Sequence, residues 1–456
     1  MTRSSLNLKS LNFKILIPYI FILLFNEFIL VVYPRNIAQI ISLDVILICL
    51  IILFLIGRIK NLFNKIISGA WLIFYFLGVL NINSIKLRTN VWNLKVHDAS
   101  FLYLLCLLVF VVSIIFFERK KSKKNKFNND LDVFFKTPFI YLMLLYPILL
   151  MYSIYTNIGF IPILTGQDFV DDMYEYDYGF FYGLKFVSVY SFCLTYLMFR
   201  YKKMFLFSCV YLLAILFIVS VDGKRFVLLM SILSLVPLAT ILKKNGFKIT
   251  IRTKEMNIRP VILSFSIVGI VYVLISILRT GGDIHESLNL LVENIPFGVE
   301  FKDYVHCFNV YNPQSIRNYN FEWSAIGSFT NSTFLEIFDL NKKELYKMGS
   351  QEAFMNLYNE KFGIRIGIVG ELYFAYGFLV LPIMILIAFF ANRISQQLIN
   401  PNSYFNLIQN SILFALFILL INGQATVFFG CLTVMIYVYI MYRFCKLLIP
   451  YKIYLK

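Results

Sequence analysis

The amino-acid sequence predicts an all-α polytopic membrane protein with about 12 transmembrane helices and one large helical extracytoplasmic loop. The first observation is composition, because hydrophobic residues make up 59% of the 456 residues and charged residues only 15%. A soluble domain carries about 25% charged residues. The second observation is that continuous apolar runs of spanning length recur along the chain. These runs lack the period-two alternation of a transmembrane β-barrel, so helices are predicted.

Twelve apolar runs, separated by polar residues, are the predicted transmembrane helices. They lie at residues 15–33, 37–56, 66–80, 99–117, 137–158, 181–199, 204–221, 226–242, 261–278, 367–390, 407–421 and 428–442. An even number of spans places both termini on one side of the membrane. The chain then divides into an N-terminal bundle of about nine spans at 1–278, a cap at 279–366 and a C-terminal group of about three spans at 367–456.

The distribution of Lys and Arg predicts which side faces the cytoplasm. With both termini cytoplasmic, 27 of the 42 Lys and Arg residues fall in cytoplasmic segments, and the basic run at 119–124 is the strongest marker. The external segment 159–180 contains no Lys or Arg but five acidic residues. The net charge of +17 therefore reflects topology and anionic lipid, and nucleic-acid binding is not predicted.

The external segment 279–366 is a structural unit of its own. Its 88 residues far exceed what a connection between two helices requires. Apolar residues at helical spacing predict one helix at 283–295, ended by Pro296, and a second helix from Ser350 to the break at Gly363. The segment is therefore predicted to fold onto the membrane as a helical cap.

Basic residues at the outer boundary are candidate anion ligands. Lys224 and Arg225 lie in an outer turn between two spans, where they oppose the positive-inside trend. Arg279 begins the cap segment, and Arg365 lies at its end. The guanidinium group is a planar fork of donors that fits pyrophosphate oxygens, whereas the alternative is anchoring to lipid headgroups. Several cations at one depth favour a shared anionic ligand.

Two residues are candidates for acid or base chemistry. Glu371 lies one turn inside the tenth span, where Gly367 and Gly370 allow another helix to approach closely. A carboxylate at this depth indicates either a structural ion pair or a catalytic role. His306, in the cap, is a candidate general base for a sugar hydroxyl, with an exposed or capping histidine as the alternative.

No pattern in the sequence predicts a metal or a cofactor. The three histidines and seven cysteines form no CxxC, HxxxH or HExxH arrangement. A nucleotide phosphate loop and a dinucleotide fingerprint are also lacking in the sequence. The cysteines lie mostly in or beside apolar runs, so a disulfide framework is not expected.

Three features resemble the bacterial oligosaccharide repeat-unit polymerases, the Wzy-type polymerases of O-antigen and capsule. They are the basic turn at 223–225, the single large outer loop late in the chain, and the stretch at 370–377. This stretch reads Gly-Glu-Leu-Tyr-Phe-Ala-Tyr-Gly and is similar to the family's Gly-Glu-Leu-Tyr-x-x-Phe/Tyr-Gly. The resemblance covers residues 200–390, while the first five spans match only in hydropathy.

The resemblance implies a metal-independent membrane glycosyltransferase of the bacterial cytoplasmic (inner) membrane. It would join repeat units carried on undecaprenyl pyrophosphate into the O-antigen of lipopolysaccharide or into capsule. The implied pyrophosphate ligands are Arg225 by its motif position, Lys224 beside it, and Arg279 and Arg365 by location; the candidate bases are His306 and Glu371. The implied partners are lipid-linked glycans, membrane lipids, a chain-length regulator and a flippase, but no nucleic acid.

Two alternatives remain open at this stage. An O-antigen ligase shares the helix count, the large outer loop and the boundary arginines, and only the Gly-Glu-Leu-Tyr stretch favours a polymerase over it. A flippase or other transporter also has about twelve helices. Transporters, however, tend to have repeated halves and charges at mid-membrane depth, whereas this sequence predicts its charges at the outer boundary.

Overall fold

The structure is a computed structural model that describes residues 43–81, 96–118, 131–160, 180–201, 204–220, 225–243, 299–310, 366–421 and 425–447. These ranges are helical, with short turns and no β-strand. In chain order the helices are α1 Leu43–Arg58, α2 Leu62–Asn81, α3 Val96–Glu118, α4 Leu131–Phe135, α5 Pro138–Ile158, α6 Phe180–Gly183, α7 Val187–Arg200, α8 Phe205–Ser220, α9 Arg225–Lys243, α10 Val299–Val310, α11 Gly367–Tyr376, α12 Val380–Ile399, α13 Tyr404–Leu419 and α14 Ala425–Leu447.

The all-helical class is confirmed for the described residues. Ten of the twelve predicted spans overlap these helices, whereas 15–33 and 261–278 lie outside the described residues. The predicted cap helices, at 283–295 and from Ser350 to Gly363, also lie outside them. Five described segments are long and apolar enough to cross a membrane by length and composition: Leu62–Val79, Asp98–Glu118, Pro138–Ile158, Gly367–Ile399 and Val427–Leu447. The total of twelve crossings stays a prediction.

Two of the predicted spans are interrupted. The span at 181–199 consists of α6, a turn and α7, and α7 has only 14 residues. A helix of this length rises about 21 Å, less than the roughly 30 Å of a hydrocarbon core. The span at 367–390 is broken by a 3₁₀ turn at Gly377–Leu379, where Gly377 has φ +61°, a conformation that glycine adopts readily.

Helix α13 lies at the centre of the bundle. Nearly all of its residues are buried, and it packs against α2, α7, α9 and α12. The indole Nε1 of Trp71, in α2, donates a hydrogen bond of 2.9 Å to the carbonyl of Phe417 in α13. The Phe417 ring in turn meets the Phe428 ring of α14, with centroids 5.6 Å apart. A helix that is buried on nearly all sides is the expected core of such a bundle.

A network of hydrogen bonds around Glu118 joins four helices, and we call this side of the bundle the Glu118 end. The Glu118 carboxylate accepts from the backbone N–H groups of Lys60 and Asn61, at 2.8 and 3.1 Å. It also accepts from Nδ2 of Asn64 at 2.8 Å, and the same Nδ2 donates to Oδ1 of Asn392 at 2.9 Å. The end of α1, the start of α2, the end of α3 and the second half of α12 therefore meet at one level.

The opposite side is defined by α10, and we call it the α10 end. Helix α10 packs against the last turns of α2, the first half of α3 and the start of α11.

Tyr201 after α7 and Tyr404 at the start of α13 meet at the Glu118 end, with hydroxyls 3.3 Å apart. The helices therefore alternate in direction as the sequence predicts, although which end faces the cytoplasm stays a prediction.

Candidate functional site

The α10 end carries the described part of the predicted cap, which consists of α10 and Ile366. Helix α10 lies within the segment 279–366, and no helix was predicted there. Phe301, Tyr304, Val305 and Cys307 are buried against the bundle. The spacing of Phe301, Tyr304, Val305 and Phe308 is the i, i+3, i+4, i+7 pattern of one helical face. The sequence therefore contained the signal of a helix, although the charged residues Glu300, Lys302 and Asp303 gave the start of the segment a polar character.

Two glycines allow α10 to lie close to its neighbours. A Cβ atom added to Gly78, in α2, would lie 2.4 Å from the Cβ of Phe301. A Cβ added to Gly370, in α11, would lie 2.8 Å from Cδ2 of Tyr304 and 2.9 Å from Cβ of Ile366. Real Cβ atoms do not approach other atoms this closely. The close approach expected at Gly370 is therefore confirmed, and its partner is α10.

An aromatic cluster fills the junction of α2, α3 and α10. The Phe301 ring lies 5.1 Å from that of Tyr75 and 5.2 Å from that of Tyr103, in edge-to-face geometry. Tyr304 is fully buried beside them, and burial raises the pKa of Tyr304 well above its usual range. This phenol therefore stays neutral near pH 7 and does not serve as a base.

A second aromatic contact links α10 to α11. The rings of Phe308 and Tyr373 are stacked with centroids 5.3 Å apart and an interplanar angle of 22°. Both side chains are half-buried. Since α10 belongs to the predicted cap and α11 begins the next span, this pair and the Tyr304–Gly370 contact attach the described part of the cap to the membrane bundle.

Glu371 lies at this junction and is almost completely buried, with 3% of its surface exposed. Positions 370 and 373 of α11 face α10, and position 371 is about 100° away from 370 around an ideal helix. The carboxylate therefore lies on a different side of α11 from α10. A buried carboxylate requires compensation from charges or hydrogen bonds, so its surroundings must be polar.

His306 lies in α10, and its backbone is described but its side chain is not. Positions 304 and 308 contact α11, and position 306 is about 200° from each of them around an ideal helix. The contact between α10 and α11 therefore does not bring positions 306 and 371 face to face.

Of the four predicted anion ligands, Arg225 is placed by its backbone as the first residue of α9. The next residue, Phe226, meets Phe186 at the start of α7 with ring centroids 6.0 Å apart. The starts of α7 and α9 are therefore neighbours. The side chain of Arg225 and the whole of Lys224, Arg279 and Arg365 lie outside the described residues, so the predicted convergence of the arginines stays a prediction.

Lys185 is a charged residue that sequence reasoning missed. It lies between α6 and α7, and its Nζ is 3.2 Å from the Tyr182 hydroxyl and 4.6 Å from the centre of the Tyr182 ring. It lies near the start of the predicted span 181–199 and was taken as part of that span. Its position inside that run is the signal that could have identified it.

Metal ligands are not grouped in the described ranges. No cluster of three His, Cys, Asp or Glu residues there could hold a metal ion. All seven cysteines lie within the described ranges as free thiols, and six of them are buried.

The close packing of α10 on α2 predicts how a substitution at Gly78 changes stability, and Gly69 in the same helix provides the control. We expect Gly78→Ala to destabilise the protein by about 1–3 kcal/mol, because the added methyl group overlaps Phe301 and forces α10 to shift. Gly69→Ala, in the same helix, has open space around the new Cβ and should be neutral or stabilising by up to about 1 kcal/mol. Thermal unfolding of the purified variants in detergent measures both. Equal unfolding temperatures for the two variants would contradict the docking of α10.

Comparison with protein-family models, with curated proteins and with solved structures finds no match for this chain.

Proposed function

We propose that this protein polymerises oligosaccharide repeat units carried on undecaprenyl pyrophosphate at the outer face of the bacterial cytoplasmic membrane. The product would be O-antigen or capsular polysaccharide, and the reaction would need no metal ion. The proposal rests on the resemblance of the stretch at 370–377, together with the basic turn at 223–225 and the large late loop.

One structural observation carries further support for the proposal. Helix α10, from the loop segment, is seated on α11 at the first turns of the Gly-Glu-Leu-Tyr stretch, through Gly370 and Tyr373. A lipid-linked glycan needs a membrane groove for its polyprenyl chain and an aqueous site for its sugars. A loop helix packed on the end of a membrane bundle, against the same turn of α11 that carries the buried Glu371 on another side, suits a site at that boundary.

The chemistry we propose is transfer of the growing glycan to one repeat unit. A hydroxyl of the acceptor sugar attacks the anomeric carbon of the donor, and the bond from that carbon to pyrophosphate breaks. Glu371 or His306 takes the proton of the attacking hydroxyl. The basic residues Lys224, Arg225, Arg279 and Arg365 bind the pyrophosphate and stabilise the negative charge that develops on it as it leaves.

One observation favours a second candidate, a transporter of lipid-linked glycans. The helical segment Gly367–Ile399 is interrupted at Gly377–Leu379, and α7 is too short to span a bilayer alone. Interrupted helices near the middle of the membrane are typical of transporter binding sites. The same feature also suits an enzyme that admits a lipid-linked substrate from the side, so it does not displace the polymerase proposal.

The glycans of a strain that lacks the protein test the proposal. A polymerase deletion should leave lipid A core or its capsule equivalent carrying a single repeat unit, without the ladder of longer chains. A ligase deletion would leave no attached units, while polymer remained on the lipid carrier. A flippase deletion would hold single lipid-linked units on the cytoplasmic side. Either of the last two patterns would overturn the polymerase assignment.

The orientation in the membrane is tested by cysteine labelling. We expect a membrane-impermeant thiol reagent, added to intact cells from outside, to modify Ser315→Cys and to spare Lys123→Cys. The reason is the concentration of basic residues in the segments assigned to the cytoplasm, including 118–136. The unchanged protein, with its seven native thiols, gives the background. Labelling at 123 but not at 315 would reverse the topology and remove the external site.

A further inference from the structure

Helix α10 docks on the bundle through one largely apolar face. The residues of this face that are buried against α2, α3 and α11 are Phe301, Tyr304, Val305 and Cys307. The fit is tight, because a methyl group added to Gly78 would overlap Phe301. Docking removes this apolar surface from water, and this burial favours the docked state.

The hydroxyl of Tyr304 opposes docking. Tyr304 is 1% exposed, and its hydroxyl makes no hydrogen bond within the part of the chain that the structure describes. On an undocked α10 the same hydroxyl would form hydrogen bonds with water. The docked state lacks these bonds, and an unsatisfied buried hydroxyl destabilises the state that buries it.

Two hydroxyls on the helices that receive α10 are buried in the same way. Tyr75 of α2 and Ser100 of α3 are at most 1% exposed. Their hydroxyls lie near each other but without the geometry of a hydrogen bond, and neither has another partner among the described residues. The Phe301 ring covers the Tyr75 ring, with centroids 5.1 Å apart. Each of the three helices that meet here therefore buries a hydroxyl without a hydrogen bond.

Tyrosines between the spans of the bundle provide a comparison. The hydroxyls of Tyr146 in α5 and Tyr211 in α8 each donate to a backbone carbonyl of a neighbouring helix. Tyr190 in α7 is an exception, because its buried hydroxyl has no hydrogen bond to any described residue. Helix α7, however, is buried along nearly its whole length, whereas α10 lies at the end of the bundle. Undocking of α10 would therefore hydrate Tyr304 without unfolding the bundle.

Docked α10 covers one face of α11. Gly370 lies under the ring of Tyr304, and Tyr373 is stacked on Phe308. Glu371 belongs to the same turn of α11. Undocking of α10 would uncover this face and open the α10 end of the bundle beside the Gly-Glu-Leu-Tyr stretch.

We propose that α10 is a lid that undocks from the bundle and docks again, and that the unpaired hydroxyl of Tyr304 keeps docking weak enough to reverse. Burial of the apolar face closes the lid, and hydration of Tyr304 favours its opening. The open lid admits the sugars of a lipid-linked glycan to the α10 end, and this role rests on the function proposed above. The opening itself does not depend on that function.

Cys307 is a native reporter of the lid, because it is fully buried against the bundle when α10 is docked. The purified full-length protein in detergent is treated with a charged thiol reagent, and peptide mass spectrometry follows the modification of each cysteine. We expect Cys307 to react at least about tenfold faster than Cys193, an equally buried thiol of α7, because local opening exposes it. Equal rates would mean that Cys307 is exposed only when the whole protein unfolds, and would overturn the lid.

Tyr304→Phe tests the role of the hydroxyl. The ring is kept and the unpaired group is removed, so Cys307 should react at least about fivefold more slowly. Tyr190→Phe is the matched control, because it removes a similar hydroxyl from a ring that stacks on Phe405 at the Glu118 end. The control should leave the Cys307 rate unchanged. An unchanged or faster Cys307 rate in Tyr304→Phe would mean that the hydroxyl does not oppose docking, and would overturn the proposal.

Gly78→Ala should change docking in the opposite direction. The added methyl group overlaps Phe301, so Cys307 should react at least about fivefold faster than in the unchanged protein. Gly69→Ala, which has open space around the new Cβ, should leave the rate unchanged. Equal Cys307 rates in these two variants would overturn the contact on which the lid depends.

Glycan ladders separate the lid from the proposed function. In a deletion strain that carries Tyr304→Phe, we expect severalfold less polymer, because the lid opens less often. A full ladder together with slow Cys307 modification would support the lid but overturn its part in polymerisation. If the deletion strain instead shows the pattern of a ligase or a flippase, the proposed function fails, whereas Cys307 rates in the expected order still support the lid.

Discussion

Replacement of Arg225 by alanine is expected to abolish polymer formation while the protein still inserts and accumulates. Arg225 is the first residue of α9, where the partial positive charge of the helix start adds to that of the side chain. If the guanidinium group binds the leaving pyrophosphate, its loss should reduce the rate at least about 100-fold. The measurement is the length distribution of glycans in a deletion strain that carries the variant.

Two further variants decide why the activity falls. Arg225→Lys should restore only short or sparse chains, because an ammonium group does not reproduce the two parallel hydrogen bonds of a guanidinium group. Arg443→Ala, an exposed arginine near the end of α14 that contacts Tyr439, is the matched control and should leave the ladder unchanged. A full ladder from an inserted Arg225→Ala protein would assign this residue to lipid anchoring.

The sequence was sufficient to predict the apolar helices of the described ranges, because a continuous apolar run is recognisable without knowledge of its partners in the fold. The span at 66–80 was predicted short, since Asn64 and Lys65 interrupt its apolar run. In the structure α2 begins at Leu62, and Asn64 is buried and satisfied by Glu118 and Asn392. These partners are 54 and 328 residues away along the chain. A sequence pattern alone does not reveal such distant compensation, so the boundary was misplaced.

The candidate site was harder to predict from the sequence. The depth of a side chain in the bundle and the packing of α10 on α11 both depend on contacts between residues far apart along the chain. Gly370 was correctly expected to allow a close approach, but its partner, Tyr304, could not be named from periodicity. Lys185 was taken as part of the ordinary span 181–199, and the hydrogen bonds that join Phe181 and Ser191 to α5 place it beside that helix. Of the predicted anion ligands, only Arg225 lies within the described backbone, so the shared pyrophosphate site remains to be tested by experiment.

Replacement of Glu371 by glutamine is expected to reduce polymer formation at least about 100-fold, with little change in protein level, if this carboxylate acts as the base. Glutamine has nearly the same shape and hydrogen-bonding reach but does not accept the proton of a sugar hydroxyl. Glu371→Asp keeps the carboxylate and should retain part of the activity. Leu372→Met, a volume-conserving change at the adjacent half-buried position, is the matched control and should be active.

The unfolding temperature of Glu371→Gln separates a catalytic role from a structural one. A buried carboxylate that is one half of a structural ion pair leaves an uncompensated cation when it is neutralised, which costs about 3–5 kcal/mol. In that case stability and activity would fall together, and Glu371→Asp would recover both to the same degree. A catalytic base with 3% of its surface exposed instead destabilises the fold, because its charge has been removed from water. Glutamine carries no charge, so Glu371→Gln should unfold at the same or a higher temperature while polymerisation is lost. An active Glu371→Gln protein would leave His306 as the base to test next.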